Sequence, residues 1–155
     1  MSIIYKKASL DDIDILVSTR VEVLKAANLL DDTADMSKVE QESYNYYKSA
    51  LSNNTHTAIL VFDDEKFIGA GGVSYYRVMP TYHNPTGEKA YIMNMYTSPS
   101  YRRKGIAYKT LDILIKDAKD RGITEITLES TDMGRPLYKK YGFINIESEM
   151  KLLVE

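Results

Sequence analysis

The chain has no cysteine and no tryptophan, and only two histidines and four prolines among its 155 residues. Without cysteine, disulfides, thiolate-zinc sites and a cysteine nucleophile are all excluded. His56 and His83 stand apart from each other, too few to assemble a His-rich metal centre, and no metal is expected. There is no Gly-x-Ser-x-Gly elbow to present a serine nucleophile, and no Gly-x-x-x-x-Gly-Lys-Ser/Thr loop for nucleoside triphosphates. No apolar run approaches the roughly 20 residues that cross a bilayer. The first residues, Met1-Ser2-Ile3-Ile4-Tyr5-Lys6-Lys7, lack the layout of a signal peptide. The expected location is therefore cytoplasmic, with no membrane partner. A formal net charge of −2 weighs against nucleic acid, whose binding is dominated by Lys and Arg on phosphates.

With 44% hydrophobic and 27% charged residues, the composition is that of an ordinary globular protein. Neither an internal repeat nor a Pro/Ser-rich linker divides the chain, so one domain over residues 1–155 is expected. A chain of this length can bury roughly 68–70% of its unfolded surface. Residues 3–7 read as a strand, and Ser9-Leu10-Asp11-Asp12 as a capping box before a helix striped by Ile13, Leu16, Val17, Leu24 and Ala27. A second, more polar helix is expected from about Ser37 to Leu51. Thr57–Phe62 and Phe67–Val78 form a hairpin around Asp63-Asp64-Glu65-Lys66. Gly69, Gly71 and Gly72 in its second arm mark a bulge or a close approach by another chain or ligand. The stretch from Met79 to Lys89, with Pro80, Pro85 and Gly87, is the longest expected loop.

Ala90–Thr97 reads as a fourth strand, closed by Ser98-Pro99. A strong helix follows from about Gly105 to Arg121, with Ile106, Ala107, Leu111, Leu114, Ile115 and Ala118 on its apolar stripe. Gly122 stands where a left-handed C-cap residue belongs. A fifth strand over Ile123–Glu129, a short helix from Pro136 to before Gly142 and further strand over Phe143–Val154 complete the pattern. The order points to a mixed α/β fold with a largely antiparallel sheet.

The stretch Tyr96-Thr97-Ser98-Pro99-Ser100-Tyr101-Arg102-Arg103-Lys104-Gly105-Ile106-Ala107 joins a predicted strand directly to a predicted helix. About four backbone N–H groups at a helix start lack intrahelical partners, and together they carry roughly half a positive charge. Gly105 and Ala107 leave room for a ligand against those amides, while Arg102, Arg103 and Lys104 add positive potential. On the residues alone, a diphosphate site and a solvated basic turn both fit.

Arg102-x-x-Gly105-x-Ala107, following Tyr96-Thr97-x-Pro99, resembles the acetyl-CoA signature Arg/Gln-x-x-Gly-x-Gly/Ala of the GNAT acetyltransferase superfamily. Downstream, Leu137-Tyr138-Lys139-Lys140-Tyr141-Gly142-Phe143 resembles the family's Leu-Tyr-x-x-x-Gly-Phe ending. The resemblance implies an α/β (α+β) fold: a mixed, largely antiparallel sheet of six or seven strands flanked by about four helices. It further implies acetyl-CoA as cosubstrate and transfer of its acetyl group to a primary amine of a small molecule or peptide, with a homodimer possible. In that frame the pantetheine arm lies along the backbone of Met95, Tyr96 and Thr97, and amides from Arg103 through Ile106 to Tyr108 hold the pyrophosphate. Tyr138 becomes the acid that protonates the leaving thiolate.

Two positions depart from the family pattern. A Glu common early in the fourth strand is replaced by Tyr91, and an Asn after the fifth strand by Thr131, whose hydroxyl keeps one hydrogen bond available. The general base is therefore open among Glu129, Glu88, His83 and a water chain ending on a backbone carbonyl. Ordinary structural duty for these groups, and core packing for Tyr138, are the plainer alternatives. The missing strand-four Glu also leaves room for a catalytically weak acyl-CoA-binding sensor or interaction module. By the same resemblance, the acceptor pocket is expected around Asn28–Tyr47 and Met79–Lys89.

Overall fold

The computed structural model describes residues 2–154; Met1 and Glu155, the two ends of the expected 1–155 domain, lie outside the described residues. The chain runs β1 (Ile3–Lys7), α1 (Ile13–Ala27), α2 (Ser37–Ser52), β2 (His56–Asp63), β3 (Lys66–Arg77), β4 (Glu88–Thr97), α3 (Ile106–Asp120), β5 (Glu125–Leu128) and α4 (Arg135–Tyr141). Single 3-10 turns at Leu10–Asp12 and Pro99–Tyr101 lead into α1 and leave β4. Ser9 caps the first of these reciprocally: its hydroxyl accepts from the Asp11 N–H at 3.3 Å, and Asp12 accepts from the Ser9 N–H at 2.9 Å. These bonds satisfy donors that a helix start otherwise leaves bare.

The five strands form one sheet in sequence order, antiparallel from β1 to β4, with β5 parallel to β4. Strand alternation divides it into two faces. Ile59, Val61, Val73, Ala90 and Ile92 point to α3, where Leu111, Leu114, Ile115 and Ala118 bury the predicted stripe. Ala58 and Leu60 point the other way, against Leu16 and Val17 of α1 and Tyr47 of α2. Fully burying one such aliphatic side chain contributes roughly 1.5–3 kcal/mol, so these two layers supply most of the cohesion. α3 ends as expected: Gly122 takes φ +77°, and the N–H of Ile123 reaches back to the Ala118 carbonyl at 3.1 Å.

The glycines of β3 mark close approach. A Cβ on Gly71 would lie 2.7 Å from Thr110 Cγ2 and 2.8 Å from Met95 Sδ, because α3 and a bulge in β4 both press on that position. Between the pairs Ala70–Tyr96 and Gly72–Met93, one β3 residue faces two β4 residues, Asn94 and Met95. Asn94 absorbs the extra length at φ +59°, a conformation that asparagine tolerates better than most residues.

The expectation of six or seven strands is corrected: among the described residues there are five. The difference lies in Phe143–Val154, expected as further strand, where Ile144, Ile146, Met150 and Leu152 fall at alternate positions. Phe143 packs back on the rings of Tyr138 and Tyr141, and residues 144–154 join no ladder. Ile144, Met150 and Leu152 stand almost fully exposed. Alternation supplies strand propensity, but a strand exists only where a neighbouring edge takes its hydrogen bonds.

Candidate active site

β4 and β5 pair only from Lys89–Glu125 to Ile92–Leu128. β5 ends there, and among the described residues Met93 to Thr97 have no strand partner on that side. An unpaired strand edge presents a row of N–H and C=O groups that an extended ligand can occupy. The free stretch of β4 contains the Asn94–Met95 bulge, where one β3 residue faces two β4 residues. Of the residues predicted to hold a cofactor, Met95, Tyr96 and Thr97 occupy this edge. Thr97 Oγ1 is buried without a hydrogen-bond partner, an orphaned polar atom that a ligand would satisfy.

The turn that follows brings the basic residues to the same end of the sheet. Arg102 donates from Nε to the Thr97 carbonyl at 3.2 Å, so part of its guanidinium braces the strand end. Lys104 lies 5.3 Å over the Tyr101 ring, and the Tyr101 hydroxyl donates to Asp63 at 2.6 Å. Arg103 at φ +62° and Gly105 at φ +79° bend the backbone tightly into α3. The amides of Gly105, Ile106, Ala107 and Tyr108 have no partner among the described residues. A Cβ on Gly105 would meet no atom within 4 Å, so the space in front of the turn is open. An orphaned hydroxyl, an unpaired strand edge and a bare amide turn fit a long ligand with a phosphorylated end.

On the other arm of the opening, α4 carries Tyr138. Its ring packs against Gly134 and sits 6.1 Å from that of Phe143. Burial pushes its phenol above the usual value, and the hydroxyl has no hydrogen-bond partner among the described residues. Thr131 Oγ1 accepts from the Gly134 N–H at 3.1 Å, which leaves its own proton free to donate.

The candidate bases are scattered. Glu88 begins β4, five residues or about 17 Å before Met93, with the parity of Ala90 and Ile92 that faces α3. His83 lies exposed in the loop after β3, against the Tyr82 ring. Glu129 follows β5 directly. Its parity, through the pairs Thr127–Tyr91 and Tyr91–Ser74, is that of the face covered by α1 and α2. Burial, and after it the Glu129 charge, raises the Tyr91 phenol. The structure thus brings Glu129, and neither Glu88 nor His83, toward the start of the opening.

On that face lies a cavity of about 230 Å³ lined by Arg20, Tyr46, His56, Ser74, Met93 and Asn94 among others. The Tyr46 hydroxyl sits 2.6 Å from Ser74 Oγ and 2.9 Å from His56 Nδ1. Arg20 donates from Nη1 to Asn94 Oδ1 at 3.0 Å. The predicted acceptor region contained Glu42, Ser43, Tyr46 and Tyr47 of the cavity's lining but not Arg20, His56, Ser74, Met93 or Asn94. One signal was available: Arg20 falls between Leu16 and Leu24 on the apolar stripe of α1, where a charge is out of place. The loop Met79–Lys89 contributes no residue to this cavity.

Residues 24–143 match the model of the acetyltransferase (GNAT) family. A crystal structure of a predicted acetyltransferase with acetyl-CoA from Clostridium acetobutylicum is 36% identical, covers 97% of this chain and 96% of its own, and superposes with a TM-score of 0.88. A GCN5-related N-acetyltransferase from Ralstonia eutropha JMP134, 20% identical over 99% of both chains, shares the fold at a TM-score of 0.83. The uncharacterized N-acetyltransferase YsnE of Bacillus subtilis (strain 168) is 39% identical over 57 residues, a stretch spanning 34% of this chain and 38% of that protein. The chain belongs to the GNAT acetyltransferase family.

Proposed function

We propose that the chain is an acetyl-CoA-dependent N-acetyltransferase acting on a primary amine of a small molecule or peptide. One observation carries this reading. The unpaired edge of β4 runs between the bare amide turn at Gly105–Tyr108 and the cavity beside Asn94, so a thioester laid along it reaches an acceptor in the cavity. The acetyl-CoA complex of the Clostridium relative supports the choice of cosubstrate. Met95, Tyr96 and Thr97 hold the arm by backbone groups and the Thr97 hydroxyl. Amides from Arg103 to Tyr108 hold the pyrophosphate, with the charges of Arg102, Arg103 and Lys104 around it, and Thr131 donates to the arm from the β5 side.

Transfer is direct. The amine nitrogen attacks the thioester carbon, the C–N bond forms, the C–S bond breaks, and sulfur leaves as thiolate. An amine with a lysine-like pKa of about 10.4 must first lose a proton, at a cost of about 4.6 kcal/mol near neutral pH. Glu129, or water held near it, takes that proton on the side of the sheet where the cavity lies. Tyr138 gives a proton to sulfur, and its phenolate recovers one, through water, from the nitrogen of the collapsing adduct, so the amide and the thiol both leave neutral. Its raised phenol makes donation to a solvated thiolate uphill by more than about 2 kcal/mol. The transfer becomes favourable when the thiolate forms desolvated beside the hydroxyl.

Tyr91, in place of the family's Glu, favours a second reading in which the chain binds acyl-CoA without efficient turnover. CoA release over a panel of amines, with acetyl-CoA binding measured separately by calorimetry, separates the two. In the same assay Gly105→Val should abolish cofactor binding. The new side chain enters the open space before the amides, and the left-handed backbone adds strain of roughly 1–2 kcal/mol. Undiminished affinity in a folded Gly105→Val protein refutes the assignment of the pyrophosphate to this turn.

A further inference from the structure

Arg20 is half-buried on α1, and none of its nitrogens lies within ion-pair distance of a carboxylate among the described residues. Its one hydrogen bond goes to the neutral side chain of Asn94. A guanidinium is always charged and carries five donors, so four of them are unspent here. Holding such a charge partly out of water without a counter-charge is costly, and the cost is recovered when an anion arrives. The charge is felt nearby, since it contributes, after burial, to keeping His56 neutral. The remaining cavity wall beside it is uncharged: the hydroxyls of Tyr46 and Ser74, the His56 ring and Met93. Glu42, the one carboxylate that lines the cavity, stands at its exposed rim.

We propose that the acceptor is a small amine bearing a carboxylate, an amino acid in the simplest case, and that Arg20 receives this carboxylate while the amine faces the β4 bulge. The inference rests on the transfer reading above. Three features narrow the ligand. Arg20 is bonded to Asn94 itself, so a group on its guanidinium lies beside the point where the β4 edge becomes free, and only a few bonds can separate carboxylate from amine. At about 230 Å³, the cavity is smaller than the roughly 300–1,000 Å³ that enclose drug-sized ligands. A single guanidinium matches the single charge of a carboxylate and its planar, two-point geometry. Glu42 at the rim draws the ammonium end of the same zwitterion toward the entrance.

The test compares acetyl transfer to the common amino acids with transfer to their primary amides, which remove the negative charge and keep the amine. At least one acid should be preferred over its amide by about 10-fold or more in kcat/KM. Arg20→Gln, which keeps a donor for Asn94, should raise KM for that acid about 10- to 100-fold, the scale of one charge-assisted bond, and leave the amide unchanged. Arg20→Lys should recover part of the preference, and thermal melting checks that each variant folds. Amides turned over as fast as acids would overturn the proposal. So would an Arg20→Gln protein slowed equally on both, because Arg20 would then serve the bulge or the thioester. A binding arm separates this proposal from the transfer reading: the Arg20 Nε–H and Asn94 side-chain resonances are followed by NMR as the same amino acids and amides are added. Shifts with acids alone, in a protein that acetylates no amine, refute transfer and uphold the anion site. Transfer to amines with neither shifts nor acid preference refutes the anion site and upholds transfer.

Discussion

Lowering the pH should destabilise this protein well before its carboxylates titrate, and His56 is the reason. The ring is 5% exposed, wedged edge-on between Tyr46 and Tyr47, with Nδ1 bonded to Tyr46 and Nε2 without a partner over Gly72. Burial first, then the charges of Arg20 and Arg121, lower its pKa from 6.5 to about 4. In the unfolded chain the ring takes up a proton near pH 6.5; in the folded chain it does so only near pH 4. Between those values the unfolded state binds more protons, so stability falls as pH falls. The full difference, about 2.5 units at 1.36 kcal/mol each, is roughly 3.4 kcal/mol. About 2 kcal/mol of it should be gone between pH 7.5 and pH 5. Urea unfolding at half-unit pH steps measures this directly. His56→Gln, neutral throughout, should start lower by about 1 kcal/mol for its altered bond to Tyr46 and then stay nearly flat to pH 5. A parent stability that does not change over that window, or a variant that falls as steeply as the parent, would refute the argument.

Two further outcomes follow from the geometry. Tyr138→Phe keeps the ring packing against Gly134 and Phe143 and removes one hydroxyl, so kcat should drop about 100-fold or more while acetyl-CoA dissociation changes by less than about threefold; full turnover in this variant would make Tyr138 a packing residue only. Leu114→Ala, at a fully buried position of α3, should cost about 2–5 kcal/mol by denaturant unfolding, and a loss below about 0.5 kcal/mol would contradict its place against the sheet.

The parts of the fold that could be read in the sequence are those governed by local rules. The stripe of α3, the cap at Gly122, the capping box at Ser9 and the hairpin around Asp63-Asp64-Glu65-Lys66 each depend on residues within a few positions of one another. The strand-to-helix turn at Arg102–Ala107 belongs to the same group. What escaped depends on distant contacts. Phe143–Val154 alternates like a strand, yet its state is decided by whether the outer edge of β5 takes it up. The cavity gathers α1, α2, β2, β3 and β4 around Asn94, and no spacing along the chain announces that Arg20 meets a residue 74 positions away. The glycines of β3 were half legible. A bulge or the approach of another chain or ligand was expected there; against Gly71 the neighbours are instead the side chains of Thr110 on α3 and Met95 in the bulge of β4.

The two faces of the sheet bear on why the bulge sits where it does. α3 buries one face so completely that Leu111, Leu114 and Ala118 retain no exposure, and its start supplies the bare amides. The cavity proposed for the acceptor lies on the opposite face, under α1 and α2. A ligand bound at the α3 turn reaches that cavity along the β4 edge left free where β5 ends at Leu128. The extra residue at Asn94–Met95 lies in that free stretch. It also sets Asn94 at a positive φ, where its side chain takes the hydrogen bond from Arg20. The bulge residue is therefore the one that holds the cavity's half-buried charge. A substitution at Asn94 should disturb the free edge and the acceptor site together, whereas one at Arg20 that keeps a donor disturbs the acceptor site alone.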